Sequence, residues 1–196
     1  MTLNVGIYIY DQAEVLDFAG PYEVFSTASR VCEKDKLFNV FLVAERLEPV
    51  TARAGFQVLP HYSIDEHPEL DVLVIVGGVH SEEMHKPAVL QWVAQQVPGL
   101  QLVATVCTGV FILANACPEL SGKVTTHWDD IADLRAQFTH LEVVEGVRWV
   151  DQGRLITSGG ISAGIDMSLH LVSRLHSQAL AEQTAHQMEY VWTRNQ

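Results

Sequence analysis

The fold of this chain is decided by the segment Gln101-Leu-Val-Ala-Thr-Val-Cys-Thr-Gly-Val-Phe-Ile-Leu-Ala114. Its first six residues form an apolar, β-rich run and the residues after Cys107 show helical spacing, so Cys107 lies on a predicted strand-to-helix turn. Free backbone N–H groups and the positive end of a helix dipole favour a thiolate over a thiol at such a turn. The alternative is a buried, inert thiol, which is the usual state of a cysteine in an apolar segment.

Other β-rich runs alternate with helical patterns along the chain, which predicts βαβ units. The predicted strands are Asn4 to Tyr10, Asn39 to Ala44, Val72 to Val76, Leu102 to Thr105, Val124 to Thr126, Gly146 to Val150 and Leu155 to Thr157. The predicted helices are Gly20 to Val31, Met84 to Gln96, Thr108 to Ala116, Asp129 to Gln137, Ser162 to Ser177 and Ala179 to Trp192. Turn residues in Gly55 to Pro60 and Val143 to Val150 indicate small antiparallel excursions. The sequence therefore predicts an α/β, three-layer αβα sandwich around a mostly parallel sheet.

Length and composition restrict the class of protein. The chain has 196 residues, of which 48% are hydrophobic, which suits one well-buried core and a single domain over residues 1–196. Its 24 acidic and 12 basic residues give a net charge of −12. This charge argues against a nucleic-acid partner, gives no indication of a membrane surface, and favours small-molecule partners. No secretory leader or apolar run of about 18 residues is visible, so no membrane association is expected.

The three cysteines, Cys32, Cys107 and Cys117, are an odd number at spacings that match neither a zinc site nor a disulfide framework. We therefore predict a reducing, cytoplasmic location.

Ligands of an open parallel sheet collect at the carboxyl ends of its strands, and two such ends carry candidate groups early in the chain. Asp17 follows the first strand in an acidic loop before a helix whose start is predicted at Gly20-Pro21. It either points into the cleft or only satisfies the N–H groups at the start of a helix. Gly77 and Gly78 follow the third strand, where their amides, with that of Thr108, could bind an oxyanion or form a simple turn.

Two further strand ends lie later in the chain. His127 follows a short strand, and its ring could act as a base, orient another group or contact a ligand. It could equally be a hydrogen-bonded wall residue beside Trp128. The run Ser158-Gly-Gly-Ile-Ser-Ala-Gly164 permits close approach of a ligand or of neighbouring backbone, and Ser162 is a good N-cap for the helix that follows.

Nearly the whole chain resembles the ThiJ/PfpI superfamily, which is related to the class I glutamine amidotransferase-like fold. The motifs that carry the resemblance occur in family order: Asp17-Phe-Ala-Gly-Pro21, Val76-Gly-Gly78, Val106-Cys-Thr-Gly109, Thr125-Thr-His-Trp128 and Ser158-Gly-Gly-Ile-Ser-Ala-Gly-Ile-Asp166. They are typical of a subgroup that contains isonitrile hydratases and the ligand-binding domains of AraC-type regulators. The resemblance implies a flavodoxin-like sandwich and a homodimer, with a self-complementary patch among Leu16, Phe18, Tyr22, Val24 and Phe25, unless these residues are ordinary core.

Carried over to this chain, the hydratase pattern makes Cys107 the nucleophile and Asp17 the carboxyl group that moves protons, with Thr108 beside the thiol. The implied reaction converts an isonitrile into an N-substituted formamide through a thioimidate on Cys107, with no metal or organic cofactor. The segment Asn115-Ala-Cys-Pro-Glu-Leu120 departs from the usual glycine-rich helix ending of the subgroup, and Val124 stands where alanine is common. These departures alter a helix end and leave the nucleophile in place.

Other functions remain open at this point. The pocket could bind a metabolite without catalysis, Cys107 could register oxidants, or the protein could have glyoxalase-type, stress-protective activity. Glutamine hydrolysis is not expected, since Ser168 to Val172 lacks the His-x-Glu pair of that machinery. Residues 162–196 contain only two arginines, so we do not expect DNA binding by this chain.

Overall fold

The computed structural model describes residues 2–32 and 37–195. Its strands are β1 (Leu3–Tyr8), β2 (Phe38–Ala44), β3 (Val50–Thr51), β4 (Gln57–Val58), β5 (Tyr62–Ser63), β6 (Val72–Ile75), β7 (Leu102–Val106), β8 (Gly122–Val124), β9 (Leu141–Val143), β10 (Trp149–Asp151) and β11 (Leu155–Ser158). Seven of them form the central sheet in the order β10-β11-β7-β6-β1-β2-β5. All pairs in this sheet are parallel except β10 with β11. The predicted α/β sandwich with a mostly parallel sheet is confirmed.

Within the described residues, six α-helices accompany the sheet: α1 (Val15–Val31), α2 (Pro87–Gln96), α3 (Gly109–Ala116), α4 (Ile131–Gln137), α5 (Ala163–Leu175) and α6 (Gln178–Gln187). Helices α1, α5 and α6 pack against one another, and α2 packs against α3. Every residue of β6 and β7 is buried. These two strands are apolar except for Thr105 in β7, because helices cover a parallel sheet on both faces.

The first helix differs from its prediction. It begins at Val15 and contains Pro21 in its interior, whereas the sequence places its start at Gly20-Pro21. Proline removes one backbone hydrogen bond from a helix, but a buried apolar face that includes Phe18, Val24 and Phe25 continues across it. Asp17 therefore lies in the first turn of α1, and its side chain is completely buried.

Two more boundaries differ for identifiable reasons. The run Val124 to Thr126 is not a strand of the central sheet: β8 ends at Val124 and pairs with β9, while Thr125 N–H donates to the Thr157 hydroxyl at 2.8 Å. The last predicted helix ends at Gln187, because the chain after it is bound to buried Asp166. Thr193 N–H donates to the Asp166 carboxylate at 2.8 Å.

The predicted antiparallel excursion at residues 55–60 is present in part, as the hairpin of β3 and β4. The second predicted excursion, at residues 143–150, contains the last residue of β9 and the first residues of β10. These strands do not pair with each other, because β9 pairs with β8 and β10 pairs with β11. Ser162 occupies the N-cap position of α5, but its hydroxyl makes no capping hydrogen bond and accepts one from Arg148 at 3.2 Å.

The proposed apolar patch on α1 is mostly core. Phe18, Val24 and Phe25 are buried, and among the patch residues only Leu16 is classed as exposed. Within the described ranges, no helix is both long enough and apolar enough to span a bilayer.

Candidate functional site

Cys107 lies on a tight turn between β7 and α3, where the sequence predicts it. Its φ of 56° is in the left-handed region, which residues other than glycine seldom adopt. The backbone N–H of Cys107 donates to the carbonyl of Gly159 at 3.2 Å, which ties the turn to the loop after β11. The residue is only 7% exposed. Strained backbone of this kind is held by its surroundings and is common at functional sites.

Gly77 lets the loop after β6 lie directly against this turn. A Cβ atom at position 77 would be 2.5 Å from the backbone nitrogen of Thr108 and 2.7 Å from the Cβ of Cys107. Both distances are far shorter than any ordinary contact, so only glycine fits here without movement of the nucleophile turn.

The carboxyl group of Asp17 is held by two backbone donors from different loops. Gly77 N–H donates to Oδ2 at 3.1 Å, and Ile161 N–H donates to Oδ1 at 3.0 Å. Burial raises the pKa of Asp17 to about 7, although these two hydrogen bonds and one with the Cys107 side chain favour the ionised form. Near neutral pH the carboxyl group can therefore both accept and release a proton.

The pKa of the Cys107 thiol is raised, first by burial and then by the adjacent Asp17 carboxylate. A backbone hydrogen bond from Thr108 acts in the opposite direction but does not outweigh them. The turn alone predicts a thiol that ionises easily, and the structure reverses this because desolvation and a neighbouring anion both disfavour the thiolate. Cys107 therefore keeps its proton at rest, and Asp17 is the group in contact that can accept it.

The amides of the glycine pair are already used within the protein. Gly77 N–H is bonded to Asp17, and Gly78 N–H donates to the Thr108 hydroxyl at 3.0 Å. The same hydroxyl donates to the Gly78 carbonyl at 3.1 Å. The expectation that both glycine amides face a ligand is therefore corrected: they position Asp17 and Thr108.

His127 lies at the edge of the same site, and its ring is half-buried. Its Nδ1 is 3.4 Å from the backbone nitrogen of Asp129 and 3.4 Å from the Asp130 carboxylate. A Cβ atom at Gly160 would be 2.3 Å from His127 Cδ2 and 3.2 Å from the Cys107 sulfur. The absence of a side chain at position 160 thus lets the imidazole and the thiol both lie close to the space that a Cβ atom would occupy.

Ile161 is a site residue that sequence reasoning missed. Its φ of 57° is strained for a β-branched side chain, and its N–H is one of the two donors to Asp17. The two glycines before Ile161 were the signal in the sequence. They indicated a close approach of backbone, but they did not indicate which residue would have the strained conformation.

Tyr10 was missed as well. Its buried hydroxyl lies near Thr108, and its pKa is raised by burial and then by Glu83, so that it stays protonated.

Two adjoining clefts open beside the candidate site. The Cys107 cleft has a volume of about 470 Å³, and its lining includes Cys107, Thr108, Gly78 and the charged residues Glu14, Arg53, Asp129 and Asp130. The Trp128 cleft is larger, at about 690 Å³, and is lined by residues of the 125–131, 145–148 and 159–163 segments. His127 and Ile161 line both clefts.

No cluster of three or more histidine, cysteine or acidic side chains suited to a metal ion occurs within residues 2–32 and 37–195. All three cysteines are free thiols, and Cys117 is buried away from the site, where burial followed by Glu119 raises its pKa to about 11. Among these thiols, Cys107 lines the cleft that also holds Thr108 and His127.

Comparison with known proteins finds similar sequences and structures over most of the chain. The sequence profile of the DJ-1/PfpI family matches residues 4–174. The chain is 33% identical over 191 residues to an isonitrile hydratase of Pseudomonas putida, covering 97% of this chain and 79% of that protein. It is 24% identical to the HTH-type transcriptional regulator GbdR of Pseudomonas aeruginosa and spans 52% of that protein, about half its length. A crystal structure of a ThiJ/PfpI family protein from Pseudomonas syringae superposes with a TM-score of 0.86 at 26% identity, covering 99% of this chain and 77% of that one.

Proposed function

The chain belongs to the DJ-1/PfpI family, and on that premise we propose that it is a cysteine-dependent enzyme that hydrates an isonitrile to an N-substituted formamide. Similarity to an isonitrile hydratase over nearly the whole chain supports this reaction. The observation that carries the proposal is the pairing of Cys107 with buried Asp17, whose pKa is raised to about 7. One carboxyl group of that pKa suits a reaction that needs a base and an acid in turn.

In the first half of the proposed reaction, the Asp17 carboxylate accepts the Cys107 proton as the sulfur attacks the terminal carbon of the isonitrile. The new S–C bond leaves an electron pair on that carbon, and the protonated Asp17 then donates its proton to it. The product is a thioimidate on Cys107, and Asp17 is a carboxylate again. The burial that raises the thiol pKa makes this base necessary, since few thiolates exist before the attack.

In the second half, Asp17 accepts a proton from a water molecule as the water oxygen attacks the thioimidate carbon. Asp17 returns that proton to the nitrogen of the tetrahedral intermediate. The C–S bond then breaks as the C=O bond forms, and the proton of the hydroxyl group passes through Asp17 to the sulfur of Cys107, which becomes a thiol again. The net reaction adds one water to the isonitrile and releases the formamide. No metal or organic cofactor enters any step.

The neighbouring residues have supporting roles in this proposal. Thr108 holds the Gly78 loop through two hydrogen bonds and presents its backbone N–H to the sulfur. Gly77 holds Asp17. His127 forms part of the wall against which the substrate lies, and we propose that it contacts the bound substrate.

The test is to measure formamide production from alkyl and aryl isonitriles by the wild-type protein and by the Cys107→Ala and Asp17→Asn variants. We expect turnover by the wild type and its loss in both variants. The matched control is Cys117→Ala, which removes another buried thiol that lies outside the cleft. Formamide production that persists in Cys107→Ala would contradict the proposal.

A second function is favoured by the similarity to regulators, which suggests that this site can bind a metabolite without turnover. Under that alternative, a folded wild-type protein would convert no isonitrile, and Cys107 would oxidise more readily than Cys32 or Cys117. A glyoxalase-type enzyme would instead consume methylglyoxal without added thiol. Assays of the purified protein with isonitriles and with methylglyoxal, together with mass spectrometry of the cysteines, distinguish the hydratase, the metabolite-binding protein and the glyoxalase-type enzyme.

A further inference from the structure

Trp128 has an unusual environment for the largest apolar side chain. It is 78% exposed, although it lies directly beside the candidate site. Its ring packs against the imidazole of His127, with centroids 5.4 Å apart and an interplanar angle of 40°. The tilted imidazole thus contacts one side of the indole, and most of the remaining indole surface is open to a second flat group.

The Trp128 cleft continues from the Cys107 cleft. His127 and Ile161 line both of them and form the rim between them. The remaining atoms of a small molecule whose reacting atom lies at the Cys107 sulfur therefore lie either within the Cys107 cleft, whose lining includes the charged residues Glu14, Arg53, Asp129 and Asp130, or across this rim. Beyond the rim, Ile131, Val147 and Ala163 add apolar surface to that of Trp128.

The two charged side chains of the Trp128 cleft are each paired already. Arg148 donates to the buried Asp166 carboxylate through Nε at 2.8 Å, and Glu145 accepts from Arg135 at 3.3 Å. An anionic group entering this cleft would thus have to compete with the buried Asp166 carboxylate for Arg148, whereas the exposed Arg135–Glu145 pair opposes a cationic group only weakly. An uncharged group meets no such cost.

We propose that the Trp128 cleft binds the organic substituent of the substrate and that it selects an uncharged aromatic substituent, which stacks on the indole of Trp128. The identification of the reacting group of that substrate as an isonitrile rests on the function proposed above. The platform itself depends only on the arrangement of Trp128, His127 and Ile161.

The first experiment compares kcat/KM for benzyl isonitrile and methyl isonitrile. We expect the benzyl-to-methyl ratio to fall by about five- to tenfold in Trp128→Ala, which is the scale of one aromatic pair plus its buried area, and to recover largely in Trp128→Phe. The matched control is Leu59→Ala, since Leu59 is 63% exposed and lines neither cleft. A 4-carboxybenzyl isonitrile should have a lower kcat/KM than benzyl isonitrile. An unchanged ratio in Trp128→Ala would overturn the proposal.

The second experiment needs no turnover and separates this proposal from the proposed function. Calorimetry measures binding of N-benzylformamide and N-methylformamide to the wild type and to the three variants. Selective binding of the benzyl compound that is lost in Trp128→Ala supports the subsite even if no isonitrile is hydrated. Hydration by the wild type together with equal binding by wild type and Trp128→Ala would overturn the subsite and leave the enzyme function standing.

Sedimentation velocity completes the design, because a second copy of the chain could cover an exposed indole. We expect Trp128→Ala to sediment as the wild type does. A changed oligomeric state with an unchanged substrate ratio would assign Trp128 to a subunit interface and overturn the proposal.

Discussion

The carboxyl group of Asp17 accepts a hydrogen bond of 3.0 Å from the backbone N–H of Ile161, which lies 144 residues further along the chain. This bond places the strained residue of the loop after β11 against the first turn of α1. Ile161 adopts a φ of 57° with a β-branched side chain, and its N–H faces Asp17 in that conformation. Backbone strain and the orientation of the proton-carrying carboxyl group are thus linked at one position.

Replacement of Ile161 tests this strain. We expect Ile161→Gly to be more stable than Ile161→Ala by about 1 kcal/mol, because glycine adopts a left-handed conformation without a Cβ penalty. Chemical denaturation measures the difference. The same pair of substitutions at Ile131, where φ is −59° at the start of α4, should show the opposite order. Equal or reversed stabilities at position 161 would mean that its backbone is not strained in solution.

The raised pKa of Asp17 predicts a pH dependence of stability. The group ionises near pH 3.8 in an unfolded chain and near pH 7 in the folded protein. Between these values the folded state binds more protons than the unfolded state, so stability falls as pH rises from about 4 to about 7 and changes little above. The loss from this group is on the order of 4 kcal/mol.

The measurement compares the free energy of unfolding of the wild type and Asp17→Asn at several pH values. The variant should be less stable at low pH, because an amide NH2 would face the Gly77 or Ile161 donor, but its curve should lack this decline. Parallel curves for the two proteins would show that Asp17 does not titrate near neutrality.

The chemical reactivity of Cys107 follows from the direction of its pKa. Burial and the Asp17 carboxylate raise that pKa, so we expect iodoacetamide at pH about 8 to alkylate Cys107 more slowly than the half-buried Cys32. Removal of the neighbouring charge in Asp17→Asn should shift the pH dependence of Cys107 alkylation to lower pH. Mass spectrometry of the peptides gives both rates in one sample. Faster labelling of Cys107 than of Cys32 would instead support the easily ionised thiol that its turn alone predicts.

The position of Cys107 could be predicted from sequence because it depends on local pattern: an apolar strand, a turn and a helix follow one another within a few residues. The order of strands and helices along the chain could be predicted for the same reason. The start of α1 could not be predicted, since Gly20-Pro21 is a local signal for a helix start that the packing of Phe18, Val24 and Phe25 overrides.

Electrostatics and hydrogen-bond partners were harder to predict than position. The pKa of Cys107 depends on burial and on Asp17, which the fold brings to it from another element. The amides of Gly77 and Gly78 are bonded to side chains from α1 and from the nucleophile turn, and no local pattern indicates such partners. Long-range contacts therefore decide how the predicted site residues behave.

The family resemblance predicts a homodimer. The structure leaves few of the apolar residues of α1 exposed, and only these can be tested as contacts between two copies of the chain. Leu16 is 37% exposed at the start of α1, whereas Phe18, Val24 and Phe25 are buried in the core. We expect a dimer by sedimentation at micromolar concentration, and weaker association in Leu16→Asp because a charge would enter an apolar contact. Leu59→Asp is the control on another exposed apolar residue. A monomeric wild type would contradict the prediction.

Gly160 provides the last test, because the imidazole of His127 and the sulfur of Cys107 both lie close to the position that its Cβ atom would occupy. A methyl group at this position would be 2.3 Å from His127 Cδ2, so the ring must move, and 3.2 Å from the sulfur. We expect Gly160→Ala to remain folded, since the imidazole lies at the half-buried edge of the site, but to lose about tenfold or more in kcat/KM for isonitriles through displacement of the reacting groups. The double variant Gly160→Ala/His127→Ala removes the clash with the ring. The single variant His127→Ala is the reference, because it has lost the same contact with the substrate. If the double variant is as active as His127→Ala, the loss in Gly160→Ala came from the displaced imidazole; if it is less active, crowding of the Cys107 sulfur is responsible. Full activity in Gly160→Ala would contradict the close approach of these two side chains to position 160.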